Sequence, residues 1–403
     1  MASARRRRAG GATVLCALLA WQSPVVAEDP RAFSAAVGDE YSYDDNLYRL
    51  PAAFGTGGSG ISRVDHINTT SLQAMGRVHQ GQQQFSLALE LSDNRFMRNA
   101  SLDNTSGTGR FTWDWLVTPH FTGTAGTDLT RMLAGFADNR FFAKDLVDTS
   151  EYFATAVSRF SSRWSLNGEL READTTHSAG LRQIDDFHSR SGTLGIRYFL
   201  AAESSVGVDF RYIDAYFPRP ATFGGAPFER DYRDSDLRLL IKYVVTGSLS
   251  LDASAGYLKR HYLHSSFGSF SGDVWRTSLQ WQVSGKTQVV LSAWRELTAY
   301  LDSQSDYFVS QGASIAPTWS VTGKISLTAT AAWTRQDYLS SSPSAVLLAS
   351  RLDHVRSAQA ALDYAPRDWV TLVLSYRYER RDSNRPQFPY DDRLASANLT
   401  IKY

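Results

Sequence analysis

Beyond about residue 32, apolar and polar positions alternate with period two along most of the chain, most clearly from Tyr307 to Tyr338. Every second residue from Tyr307 (Tyr307, Val309, Gln311, Ala313, Ile315, Pro317, Trp319, Val321) builds a largely apolar face, and the residues between are mostly small or polar. After Thr322-Gly323-Lys324 the alternation resumes with Ile325, Leu327, Ala329, Ala331 and Trp333. Two such arms around a glycine turn predict a β-hairpin. Each arm is about a dozen residues, against the roughly five or six of a soluble strand. That length, with one greasy face, suits a transmembrane β-barrel.

The hairpin recurs. Trp319-Ser320-Val321-Thr322-Gly323-Lys324 echoes Trp281-Gln282-Val283-Ser284-Gly285-Lys286 and Tyr243-Val244-Val245-Thr246-Gly247-Ser248, with Trp115-Leu116-Val117-Thr118-Pro119-His120 as a looser copy. An aromatic ahead of each short turn would set Trp115, Tyr243, Trp281 and Trp319 as a girdle at one membrane–water boundary. A soluble propeller has a similar period and competes with this expectation.

The alternation predicts eighteen strands, near 33–43, 63–79, 85–96, 107–117, 121–133, 149–160, 164–173, 187–199, 205–216, 232–245, 249–262, 273–283, 287–300, 307–321, 325–338, 353–365, 369–382 and 392–403. The second, sixth and sixteenth alternate poorly, so a count of sixteen also fits. Short turns and long loops take turns along the series, the asymmetry of bacterial barrels. The expected fold is therefore all-β, a transmembrane antiparallel up-and-down barrel. Closure is obligatory, because in lipid every backbone N–H and C=O needs a partner. An even count puts both ends on the periplasmic side, with the short turns. Leu399-Thr400-Ile401-Lys402-Tyr403 alternates and finishes on an aromatic, so Tyr403 is expected to serve as a signal to barrel-insertion machinery; a soluble propeller has no use for one.

The N-terminus adds a basic head, Arg5 to Arg8, an apolar run from Ala12 to Trp21, and Val25-Val26-Ala27. This is the pattern of a secretory signal peptide over 1–27, cleaved after Ala27. Residues 28–403 then form one barrel domain without a globular plug. Cleavage would remove four arginines and no acid, taking Lys+Arg from 42 to 38 against 41 Asp+Glu. No basic stripe remains to bind nucleic acid. Cys16 is the only cysteine, so the mature chain holds no disulfide and no thiol-ligated metal. With a mean hydropathy of −0.30 and no long apolar run, a helical membrane protein is excluded.

Residues opposite the lipid face carry mixed charge: Asp209, Arg211, Asp236, Arg238, Lys242, Asp252, Arg260, Arg377 and Glu379. They fit either the lining of a polar path for a solute or polymer, or a wall of structural salt bridges. No catalytic residue is assigned. His264 and Ser266 have a spacing that a barrel acyl hydrolase could use, but lack an orienting carboxylate. The eight histidines lack metal-ligand spacing. Asp44-Asp45-Asn46 and Asp391-Asp392 fit divalent ions at the outer rim or, more simply, turns begun by Asx hydrogen bonds. No cofactor and no metal are expected.

Several phrases resemble the outer-membrane proteins of exopolysaccharide biosynthesis operons, the EpsL type found beside exosortase systems in Gram-negative bacteria. They are Tyr41-Ser42-Tyr43-Asp44-Asp45-Asn46-Leu47-Tyr48-Arg49-Leu50, Thr112-Trp113-Asp114-Trp115, Asp231-Tyr232-Arg233, Trp319 to Lys324, and Tyr376-Arg377-Tyr378-Glu379-Arg380-Arg381-Asp382-Ser383-Asn384. The resemblance runs in order along the mature chain. It implies a non-enzymatic outer-membrane barrel, seated in lipid, that assists export or assembly of an extracellular polysaccharide. An exopolysaccharide chain and periplasmic export proteins would be its partners. It supplies no catalytic residues. The alternatives are a general diffusion porin for small solutes and, more remotely, an outer-membrane lipid hydrolase using His264 and Ser266.

Overall fold

The structure, a computed structural model, describes residues 32–55, 60–138, 141–223, 226–263, 269–299, 307–339 and 351–403. Residues 1–27, His264 and Ser266 therefore lie outside the described residues, and with them the signal-peptide and hydrolase expectations. Twenty strands form: β1 (Phe33–Asp44), β2 (Asp65–Gln80), β3 (Gln83–Phe96), β4 (Asn104–Thr118), β5 (Phe121–Leu133), β6 (Leu146–Arg159), β7 (Trp164–His177), β8 (Phe187–Ala201), β9 (Ser204–Tyr216), β10 (Ala221–Phe223), β11 (Ala226–Phe228), β12 (Tyr232–Thr246), β13 (Leu249–Tyr262), β14 (Phe270–Ser284), β15 (Thr287–Ala299), β16 (Tyr307–Thr322), β17 (Ile325–Leu339), β18 (Leu352–Arg367), β19 (Val370–Ser383) and β20 (Tyr390–Lys402).

Apart from β10 and β11, which make a small separate hairpin, all belong to one sheet of eighteen strands. Each strand pairs antiparallel with its sequence neighbour, and β9 pairs with β12 past the small hairpin. β1 pairs antiparallel with β20, from Ala36 opposite Lys402 to Asp44 opposite Leu394, which closes the cylinder. At the seam the Tyr403 amide donates to the Ala35 carbonyl at 2.6 Å. No edge is left, as a lipid-embedded sheet requires.

The recurring motif is the short turn itself. The register shifts by one residue just before the turns after β12, β14 and β16, at Val244/Thr246, Gln282/Ser284 and Ser320/Thr322. The extra residue is Val245, Val283 or Val321. The Thr246, Ser284 and Thr322 hydroxyls each accept a hydrogen bond from the amide two residues on, at 3.2, 3.2 and 3.1 Å. A hydroxyl residue before glycine in this motif is thus a local turn device.

On each barrel wall the exposed apolar row alternates with a half-buried polar one. In β9, Val208, Phe210 and Tyr212 are exposed while Asp209 and Arg211 between them are half-buried. The second, sixth and sixteenth expected strands all form, as β2, β6 and β18. Their weak alternation has a simple cause. Near the long-loop end the outward row is polar, with His66 and Asn68 in β2, Asp148 in β6, and His354 and Arg356 in β18. That part of the wall has passed the apolar belt. Among the described residues no helix is long and apolar enough to cross a membrane.

Candidate functional site: the barrel interior and its mouth

All nine charged residues expected on the interior lie on the polar row, opposite the exposed apolar face. Asp209 takes two hydrogen bonds from Arg197, at 2.5 and 2.8 Å. Asp236, almost fully buried, is held between Arg211 at 3.1 Å and Arg238 at 2.8 Å. Arg260 donates two bonds to Asp234, at 2.7 and 2.8 Å, beneath the Tyr232 ring. Arg377 reaches Asp392 at 3.4 Å, and Glu379 accepts a 2.5 Å bond from the Tyr390 hydroxyl. Lys242 and Asp252 stand opposite one another in the β12–β13 register.

Further interior pairs were not singled out from sequence. Arg110 lies 3.4 Å from Asp128, Arg171 pairs with both Glu151 and Glu169, and Arg276 pairs with Glu296 at 2.5 Å beside the Trp294 ring. The only available signal was the same period-two phase that marked the others. Their partners come from neighbouring strands whose register single-sequence reading does not fix.

Three of the interior pairs are lopsided in exposure. The arginine side chain is 62% exposed in Arg110 against 33% for Asp128, 41% in Arg211 against 1% for Asp236, and 47% in Arg276 against 22% for Glu296. Arg110, Arg211 and Arg276 sit seven or eight residues from the short-turn end of their strands, about half-way up the wall. At mid-height, then, the interior keeps accessible space, and guanidinium edges line it while their carboxylates lie back against the sheet.

The mouth at the long-loop end is narrowed by two inturned segments. Residues 45–55 carry Tyr48 and Leu50, both fully buried, into a cluster with Phe96, Leu102 and Phe136. Tyr48 and Phe136 have ring centroids 4.7 Å apart. Phe136 belongs to the strap that follows β5. Its neighbour Asp138 reaches the far wall, accepting hydrogen bonds from Arg381 of β19 at 2.8 Å and from the Tyr338 hydroxyl of β17 at 3.3 Å, with Arg351 at 3.6 Å. Between β5 and β19 stand β4, β3, β2, β1 and β20, so the strap cuts across the mouth. Burial alone would push the Asp138 carboxyl up, but the Arg381 and Arg351 guanidiniums overcome it and hold the group below its ordinary value of 3.8.

Of the acidic rim residues, Asp44 starts a turn, whereas Asp391 and Asp392 lie within β20. The oxygens of Asp44, Asp45 and Asp392 lie within 4.8 Å of one another. Arg49 occupies the cluster, however, 3.1 Å from Asp44 and 2.7 Å from Asp392. Asp44 accepts the Asn46 amide at 2.8 Å, an Asx turn. Arg49 itself adopts a φ of 53° to make this fit.

At the other end Tyr243, Trp281 and Trp319 are exposed just before their turns, and Trp115 packs edge-on against Phe121 at 5.0 Å. They lie on the outward face. At this rim their rings are therefore turned toward lipid, not toward the interior.

The architecture is that of an outer-membrane β-barrel. Residues 225–403 are similar to the family described as "Putative beta-barrel porin 2", a match to somewhat less than half of the chain. No curated protein matches it. Among solved structures, Pseudomonas aeruginosa OccK9 (OpdG) is 13% identical with a TM-score of 0.49, over 92% of this chain and 98% of that one. A BenF-like porin from Pseudomonas fluorescens Pf-5 is 8% identical with a TM-score of 0.49, over 92% and 98%. Acinetobacter baumannii OccAB3 is 11% identical with a TM-score of 0.47, over 92% and 99%.

Proposed function

We propose that this barrel is a passive, water-filled pore for small hydrophilic solutes, narrowed at its outer mouth by the Asp138 strap and more permissive to anions than to cations. The observation that carries this is the exposure of Arg110, Arg211 and Arg276 at mid-height inside a closed wall. A barrel filled solid would bury them. The porin-like match of residues 225–403 supports the same reading. A solute in transit meets guanidinium edges first, because each carboxylate partner lies deeper, and guanidinium presents paired donors to an anionic group.

Export of a polysaccharide is less well supported. The girdle aromatics Tyr243, Trp281 and Trp319 face outward and offer a passing polymer no stacking surface. Conduction needs no catalytic group.

Planar-bilayer recording tests the pore. The purified protein should give discrete conductance steps, and the reversal potential in a salt gradient should favour chloride. Replacing Arg211 and Arg276 by Gln exposes the acidic partners and should move the permeability ratio toward potassium by several-fold. Absence of steps would reject the pore, and an unchanged ratio would reject the anion preference.

A further inference from the structure

The outer surface carries a second charged feature that conduction does not use. On β17 to β20 the outward row holds Arg335, Arg356, Arg380 and Arg393, one on each adjacent strand. Arg335 and Arg380 lie ten residues from the short-turn ends Ile325 and Val370, Arg356 eleven from Arg367, and Arg393 nine from Lys402. A tilted strand crosses the hydrocarbon core in about nine to eleven residues. The four guanidiniums thus sit at one height, where the apolar belt ends on the long-loop side. Trp333 and Tyr378 lie directly below two of them on the same face.

Three of the four are partly neutralised from above. Arg335 meets Asp337 at 3.1 Å, Arg380 meets Asp382 at 3.0 Å and, beside it on β20, Asp391 at 3.9 Å, and Arg393 meets Asp45 at 3.5 Å. Arg356 is different. It is exposed, and none of the ion pairs among the described residues includes it. The residue above it is His354, whose ring stacks on Trp333 at 6.2 Å. Residues 340–350, which connect β17 to β18, contain no acidic side chain that could serve. Arg356 also stands directly opposite Arg380 in the β18–β19 register. Like charges placed opposite each other on a sheet face are destabilising. An anion between them would remove that cost.

We infer that Arg356 and Arg380 form a binding site for the phosphate of an outer-leaflet lipid headgroup. The height selects the ligand. A free anion has no reason to collect at the edge of the apolar belt, whereas a lipid phosphate is anchored there by its acyl chains against Ala358, Ala360 and Tyr376. The site depends on the barrel lying in a membrane but not on its conducting, so failure of the pore proposal would leave it intact.

The test uses the full-length barrel folded in neutral detergent and titrated with a bisphosphorylated glucosamine-disaccharide lipid, with retention read by native mass spectrometry. R356Q/R380Q should weaken binding about thirtyfold, as expected for two basic side chains at a lipid surface. R131Q, which alters an outward arginine already paired with Asp148, should not change it. If the double variant does not give a folded, heat-modifiable band, R356Q alone, which breaks no ion pair, should cost about fivefold. Undiminished binding in R356Q, equal binding of the dephosphorylated lipid, or equal occupancy by inorganic phosphate would each overturn the assignment.

Discussion

Asp138 shows what a single side chain can decide here. It is the side-chain fastening point of the strap, beside the Ala137 carbonyl that also accepts from Arg381, and both cations that hold it, Arg381 and Arg351, are themselves buried. Its carboxyl titrates below its ordinary value, so its tether is fully made above 3.8 and is lost as pH falls through the lower folded value. The strap's contribution to conductance should therefore stay flat between about pH 7 and pH 4 and change only below that, as the strap detaches. In D138N the larger conductance should appear already at neutral pH, and the acid step should vanish. An acid step that survives in D138N would show that another group holds the strap. Part of this scale is legible in the residue pattern. Period two assigned Asp209, Arg211, Asp236 and Arg377 to one face because side-chain direction follows from the strand alone. It could not pair Arg381 with Asp138, which lie 243 residues apart and meet only through the path of a loop.

The strands were legible because their length and alternation are enforced by lipid on one side and water on the other. The expected bounds 121–133 and 249–262 coincide with β5 and β13. The loops were not legible, since nothing periodic constrains them. Leu47, Tyr48, Leu50 and Phe136 were apolar residues in segments taken for outer loops, and that mismatch was the one available sign that those segments turn inward. Glycine placement reports on packing between elements. On the interior row of β16, Gly312 has the Trp294 ring of β15 so close that an added Cβ would sit 2.5 Å from Cζ2 and 2.6 Å from the Trp333 carbonyl. The carbonyl belongs to β17 and cannot yield as a rotamer can. G312A should therefore cost about 1–3 kcal/mol, the usual range for overpacking, read as a lower urea midpoint of the folded band. An unchanged midpoint would mean that Trp294 has room to swing into the lumen.

At the scale of the molecule, the fold follows from one rule: each barrel strand pairs with the next barrel strand in sequence, and among the strand pairings of the described residues only β1–β20 joins distant parts of the chain. Period, turn motif and even count were enough to anticipate that cylinder. The function was less accessible, because an export conduit and a solute pore share the same wall pattern and differ in which face the aromatics occupy and how far the mouth is strapped. Both are properties of the assembled barrel.

Ala35 and Tyr403 are hydrogen-bonded to each other, so the ends of the described chain lie side by side at the short-turn rim. A circular permutant that links them through a short glycine-serine peptide and begins instead at the exposed Gly247 turn would keep every strand neighbour it now has. It should refold in detergent to a heat-modifiable band like the parent's, while exporting a chain that finishes on β12. If it refolds in vitro yet fails to reach the outer membrane of cells, the terminal aromatic is an address read by other proteins. If it assembles normally in both settings, Tyr403 is only the last stitch in the wall.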